Sequence, residues 1–242
     1  MSTARKIEWL RASACMFMLV VASGFAGATP GDAEDDKMLA SCPGGAEWLA
    51  SEHARREEMH LPPEAPPRKP ELRDELLRMA RDDQAARSAL TEGKTPTQAQ
   101  IEAWQSTDRR NLAALKKIVA DGGFPRAADV RRDGVGAAWL LVQHADADPA
   151  FQQSVLSQLT GLGEADGIGG QEVALLTDRV LLAQGKPQRY GTQYEGGAGS
   201  PLRQRPMEDP SHVDERRAAM HMMPIATYAC VLDKMYGGHA TR

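Results

Sequence analysis

Aromatic residues are scarce. Four Phe, four Trp and four Tyr make up 5% of the 242 residues, so a core must come mainly from Leu, Val, Ala and Met. Cysteine is scarcer still, with Cys15, Cys42 and Cys230. No C-x-x-C, H-E-x-x-H or G-x-S-x-G occurs, which removes the zinc-ribbon, zincin and hydrolase-elbow readings. There is no basic excess: the formal charge is −4, and a nucleic-acid partner gets no support. No segment repeats at a period of about 20–50 residues, so solenoids and propellers drop out. His212, His221 and His239 make no metal-ligand spacing with a neighbour, and no metal or cofactor is expected. Gly161–Gly170 is rich in glycine but lacks the lysine of a phosphate loop, so it reads as a plain loop.

What is present begins with an address. Arg5, Lys6 and Arg11 precede an uncharged stretch, Ala12–Ala28, centred on Met16–Val21 and ending Ala26-Gly27-Ala28. A basic start, a short apolar centre and small residues at the end are the pattern of a cleaved signal peptide, residues 1–28. The stretch is about 17 residues, at the lower limit for crossing a bilayer. No long apolar run follows, so no stable membrane span is expected after cleavage. The sequence therefore predicts an exported protein, periplasmic or secreted. In an oxidising compartment the two remaining cysteines, Cys42 and Cys230, are expected to pair.

Residues 29–70 read as an N-terminal extension. Thr29–Lys37 is small and acidic and reads as disordered. Gly45–Met59 reads as a short helix. Pro62, Pro63, Pro66, Pro67 and Pro70 mark an extended linker. Residues 71–236 then read as one helical domain, followed by a tail, 237–242. Helices are expected from Pro70 to about Gly93, over Thr97–Asp121, Gly134–Ala145, Pro149–Leu162 and Gln171–Gln184, with Phe124–Asp133 as a loop. Arg189–Glu195 and Leu202–Met207 flank a glycine turn and suggest a β-hairpin. Asp209-Pro210 and Pro224 open two final helices. The expected class is mainly α: an irregular multi-helix domain with one β-hairpin.

The informative positions are polar residues on apolar helical faces. Met79, Asp83, Arg87 and Leu90 share one face by spacing, as do Trp104, Asp108, Asn111 and Leu115. His144 follows Leu140 by four, with Gln143 beside it. Asp178 follows Leu175 by three, with Arg179 beside it. A buried carboxylate must meet a partner. Asp83, Asp108, Asn111, His144, Asp178 and Arg179 are therefore expected to converge, with Arg87 among the partners. Arg189, Tyr190 and Gln193 of the hairpin are expected to close over them. Such a cluster reads as a binding site for a small polar ligand or a protein partner. A second reading is a metal-independent hydrolase or lyase, with His144 as acid/base and Asp108 or Asp178 orienting it. A third is a purely structural network.

These motifs carry a resemblance. Leu76–Met79 with Asp83-Gln84 and Arg87, Asp108-x-x-Asn111 with Leu115–Ile118, Leu141–Asp146, Leu176–Arg179 and Gln188–Gln193 resemble, in order and chemistry, a bacterial family known as domain of unknown function 6624. The resemblance runs from about Leu72 to about Tyr228. It implies a common fold and carries no activity with it.

Overall fold

The computed structural model describes residues 30–61, 63–91, 95–197 and 200–236. Residues 1–28, expected to be a signal peptide, and the expected tail, 237–242, lie outside the described residues. The fold is mainly α, with one two-stranded antiparallel hairpin. No described helix is long and apolar enough to cross a membrane. The chain divides into two compact units.

One unit spans Leu61–Lys186. It holds α3 (Pro70–Thr91), α4 (Gln98–Gly122), α5 (Ala127–Gln143), α6 (Pro149–Leu159) and α7 (Gly170–Ala183), with a short 3-10 turn at Glu164–Asp166. Pro70 opens α3, where its missing N–H costs nothing. Thr97 opens α4 through a capping box with Gln100, and Gly123 closes it with φ +75°. Asp148 caps α6 by accepting from the Phe151 N–H at 3.0 Å. The central helix is α5, packed on α3, α4, α6 and α7. Val130, Val135, Ala138, Leu141 and Val142 are buried along it, as are Leu76, Leu115, Val155 and Leu176 on its neighbours. A helix apolar on nearly every side belongs in the middle of a bundle.

The expected loop Phe124–Asp133 is corrected here: α5 already begins at Ala127. The expected start at Gly134 nevertheless marks a real feature. Arg131 breaks the helix with φ 61° and ψ 169°. Asp133 then caps the restart, accepting from the Gly134 N–H at 2.7 Å. Glu64, from the proline-rich segment, accepts from the Arg132 N–H at 2.6 Å and pairs with the Arg131 side chain at 3.5 Å. Composition pointed to a loop because the kink interrupts the period.

The second unit joins the described residues up to His60 with those from Pro187 onward. Its elements are α1 (Pro30–Ala40), α2 (Gly45–Glu58), β1 (Tyr194–Gly197), β2 (Ser200–Gln204), a 3-10 turn (Pro210–His212), α8 (Val213–Ala218) and α9 (Ile225–Tyr236). Thr29–Lys37, expected to be disordered, is helical from Pro30. The end of that helix supplies the reason: Leu39 is buried with Cys42, Met223, Tyr228, Val231 and Leu232. Cys42 and Cys230 are disulfide-bonded across 188 positions, tying the α1–α2 turn to α9. Asp209-Pro210, expected to open a helix, opens the 3-10 turn that leads into α8, but not through an Asp209 side-chain cap. Asp209 has φ 38°; its carboxylate takes Ser211 and His212. Met222 and Met223 are buried and Met235 is exposed.

Candidate functional site

Four helices of the Leu61–Lys186 unit bring their polar positions together. Asp83 and Arg87 lie one turn apart on α3, so their side chains run side by side. Arg87 Nε donates to Asp83 at 3.2 Å, and Arg87 Nη2 donates to Asp108 Oδ1, on α4, at 2.8 Å. The guanidinium also lies over the Trp104 ring, 5.5 Å from its centre. His144 ends α5. Its Nδ1 stands 2.6 Å from Asp83 Oδ2 and 2.8 Å from Arg87 Nε.

One ring nitrogen cannot accept from Arg87 and donate to Asp83 in the same tautomer. The shorter contact and the carboxylate charge favour the proton on Nδ1, donated to Asp83. Nε2 then carries the basic lone pair.

A second group forms around Asp146, just past the end of α5. Arg179 of α7 donates from Nη1 to Asp146 Oδ1 at 2.6 Å and from Nε to Gln143 Oε1 at 3.2 Å. Gln152 of α6 donates to the carbonyls of Val142 and Gln143, at 3.0 and 3.2 Å. It adds a side-chain donor at the last carbonyls of α5, where Val142 also takes the Ala145 N–H at 3.1 Å.

Burial sets the electrostatics. Desolvation pushes the Asp108 carboxyl up to about 7; Arg87 opposes this, while Asp83 and Asp146 add to it. Desolvation likewise pushes the His144 imidazole down to about 4, with Arg87 and Arg179 adding and Asp83 opposing. His144 is therefore neutral at neutral pH. Burial raises Asp83 too, but His144 and Arg87 outweigh it and hold the carboxyl below its usual range. Arg179 does the same for Asp146 against its burial.

The cluster has closed members and more open ones. The side chains of Asp83, Arg87 and His144 are 1%, 8% and 3% exposed, whereas Asp108 and Asp146 keep 24% and 29%. Among the described residues, no group of three or more His, Cys, Asp or Glu is disposed to hold a metal ion.

The expected residues fall into three groups. Asp83, Arg87, Asp108 and His144 form one bonded group, and Gln143 and Arg179 join Asp146 in a second, coupled to the first through charge. Asn111 is buried one turn along α4 from Asp108. Asp178 is fully buried on α7 and partnered. Arg189, Tyr190 and Gln193 belong to the other unit. There the Arg189 and Tyr190 carbonyls accept from Arg216 and Arg217, and Gln193 exchanges backbone hydrogen bonds with the Gln188 side chain. Asp146 and Gln152 were not anticipated. Asp146 lies between two helices, where no helical period applies, and Gln152 looks like an ordinary polar position of α6.

Residues 70–240 match a family of unknown function, DUF6624. The chain belongs to that family. The matched segment takes in α3 to α9 and every member of the network. No curated protein and no solved structure matches the chain.

Proposed function

We propose that this DUF6624 chain is an exported protein that binds a small polar ligand at the more open members of the network. The disulfide Cys42–Cys230 supports export. The binding reading is carried by one observation. Asp83 and Arg87 are buried, whereas the Asp108 and Asp146 side chains stay about a quarter exposed. A part-exposed carboxyl whose ionisation the fold resists is more typical of a site than of a network that only pins helices.

The test is the stability of Asp108→Asn at about pH 7.5. The binding reading expects stability unchanged or raised by about 1–2 kcal/mol, since sites carry unfavourable charge. A loss of about 3–5 kcal/mol, as for a broken buried pair, overturns it.

A second reading is favoured by the Asp83–His144 contact. A carboxylate on Nδ1 orients the ring and leaves Nε2 as a base. On this reading His144 and Asp108 exchange protons with a bound substrate, and Asp108, with its carboxyl near 7, is the better matched acid at neutral pH.

A further inference from the structure

At Arg131 the backbone bonds of α5 are exchanged for others. In an unbroken helix the N–H groups of Arg132, Asp133 and Gly134 donate to the carbonyls of Ala128, Asp129 and Val130. With ψ of 169° at Arg131, the peptide that follows is turned out of the helix, and the Arg132 N–H with it. Four of those six groups take partners outside the helical pattern. The Gly134 N–H takes the Asp133 carboxylate at 2.7 Å. The other three are met by residues 63–69, the proline-rich segment before α3. Glu64 accepts from the Arg132 N–H at 2.6 Å, the Arg68 N–H donates to the Ala128 carbonyl at 3.2 Å, and the Lys69 N–H donates to the Asp129 carbonyl at 2.8 Å. Arg68 and Lys69 also pair with the Asp129 carboxylate, at 2.8 and 3.4 Å.

The residues at the kink favour a helix. Ala127, Ala128, Arg131 and Arg132 are good helix formers, and a residue other than glycine is strained at this φ and ψ. The segment that holds them out of it is built to come and go. Pro63, Pro66 and Pro67 have no N–H to satisfy and keep the chain extended, so little freedom changes when it docks or leaves. Its Arg68 and Lys69 side chains are 69% and 52% exposed, so their ion pairs hold weakly. The backbone groups of α5 can thus be satisfied by the segment, with a kink, or by one another, without it. Glu64 decides between the two. Without its carboxylate the kinked form leaves the Arg132 N–H unpaired, which is the costly outcome.

We propose that residues 63–69 are a displaceable strap that holds α5 kinked, and that α5 closes into one unbroken helix across Arg131 when the strap leaves. In the exchange the Arg132 N–H passes from Glu64 to the Ala128 carbonyl, and the Arg68 and Lys69 N–H groups pass to water. Two discrete arrangements of one element are what a conformational switch requires. This device lies at the opposite end of α5 from His144 and is independent of the binding reading.

The test is amide hydrogen exchange at Arg68, Lys69 and Arg132 in the full chain, wild type beside Glu64→Ala. In Glu64→Ala the Arg68 and Lys69 amides are expected to lose protection about tenfold or more, while Arg132 stays protected, now by the Ala128 carbonyl. The Arg131 Cα chemical shift is expected to move to the helical side. If Arg132 loses protection together with the strap, or the Arg131 shift does not move, α5 has not closed and the proposal fails. If Arg68 and Lys69 keep their protection, the kink is held from elsewhere and the strap is passive, which overturns it as well; Gly167, where a Cβ would lie 3.2 Å from the Arg132 Cα, is then the element to examine. Should Glu64→Ala not fold, exchange of the wild type in urea below its unfolding transition makes the same comparison. Arg68 and Lys69 must then exchange through an opening that leaves Arg132 protected, and one common opening for all three overturns the proposal.

Discussion

Asp83 Oδ2 lies 2.6 Å from His144 Nδ1, and Arg87 Nε lies 2.8 Å from the same nitrogen. Two side chains one turn apart on α3 therefore converge on a single atom at the end of α5. This shared contact joins the two helices most extensively packed in their unit. It also places an arginine against a buried imidazole, which disfavours the charged ring. The neighbouring Asp108 is driven the other way, towards its protonated form.

These opposite shifts make a pH prediction. His144 moves from 6.5 down to about 4. Between those values the unfolded chain binds a proton that the fold refuses, so His144 costs stability as pH falls. Asp108 moves from 3.8 up to about 7. Over nearly the same window the fold keeps a proton that the unfolded chain releases, so Asp108 adds stability as pH falls and loses it as pH rises through 7. The two slopes oppose each other. Asp83 and Asp146, both lowered, act only below about pH 4. Wild type is thus expected to change little between about pH 6.5 and 4.5 on account of these groups. Asp108→Asn removes one slope and should lose about 2–3 kcal/mol over that window. Urea unfolding at several pH values measures both, and parallel curves for the two proteins would refute the cancellation.

Asp83 is the member whose loss should hurt most. It is 1% exposed, and its carboxylate holds both Arg87 and His144. Asp83→Ala leaves a buried guanidinium without one of its two carboxylates and a buried imidazole without its carboxylate partner, and a loss of about 3–5 kcal/mol is expected. Asp108→Asn serves as the contrast, because Asn can still accept from Arg87. Equal losses for the two at about pH 7.5 would mean that the open and closed members do not differ.

How far the sequence foretold this arrangement depends on the residue. Asp83, Arg87, Asp108 and Asn111 sit three or four positions from buried apolar neighbours, so helical spacing alone put them on inward faces. Proline and glycine boundaries likewise located α3, α4, α6 and α7 within a few residues. Asp146 escaped because it lies in the turn after α5, where direction is set by tertiary contact with Arg179. The early start of α5 escaped because Arg131 adopts a backbone that no residue pattern announces. The helix Pro30–Ala40 escaped because its polar composition hides Leu39, whose burial beside the disulfide holds its end. The division into units escaped as well, since residues before His60 and after Pro187 meet only in three dimensions.

The N-terminal reading and the disulfide are checked together by mass. Protein recovered from the exported fraction should begin at or near Thr29 and be lighter by two hydrogens than its reduced form. Cys230→Ser should lower stability, by about 5 kcal/mol at most on chain-entropy grounds for so long a loop. A retained Met1 would refute cleavage. Two reactive thiols in the unreduced, denatured chain would refute the bridge.

Arg131 supplies the last prediction. Its φ of 61° with ψ of 169° falls in a region that is nearly reserved for glycine. The strain is held by Glu64, which takes the Arg132 N–H and the Arg131 side chain. Replacing Arg131 with Ala removes the side-chain pair, which is partly exposed and worth about 1 kcal/mol or less, but keeps a Cβ in the strained backbone. Replacing it with Gly removes both. In an ordinary helix Ala is the more stable of the two by about 1 kcal/mol. At this kink the order should invert, with Arg131→Gly more stable than Arg131→Ala by about 1–2 kcal/mol. Urea midpoints of the two variants decide it: if Ala stands above Gly, position 131 is an ordinary helical residue and the kink carries no strain.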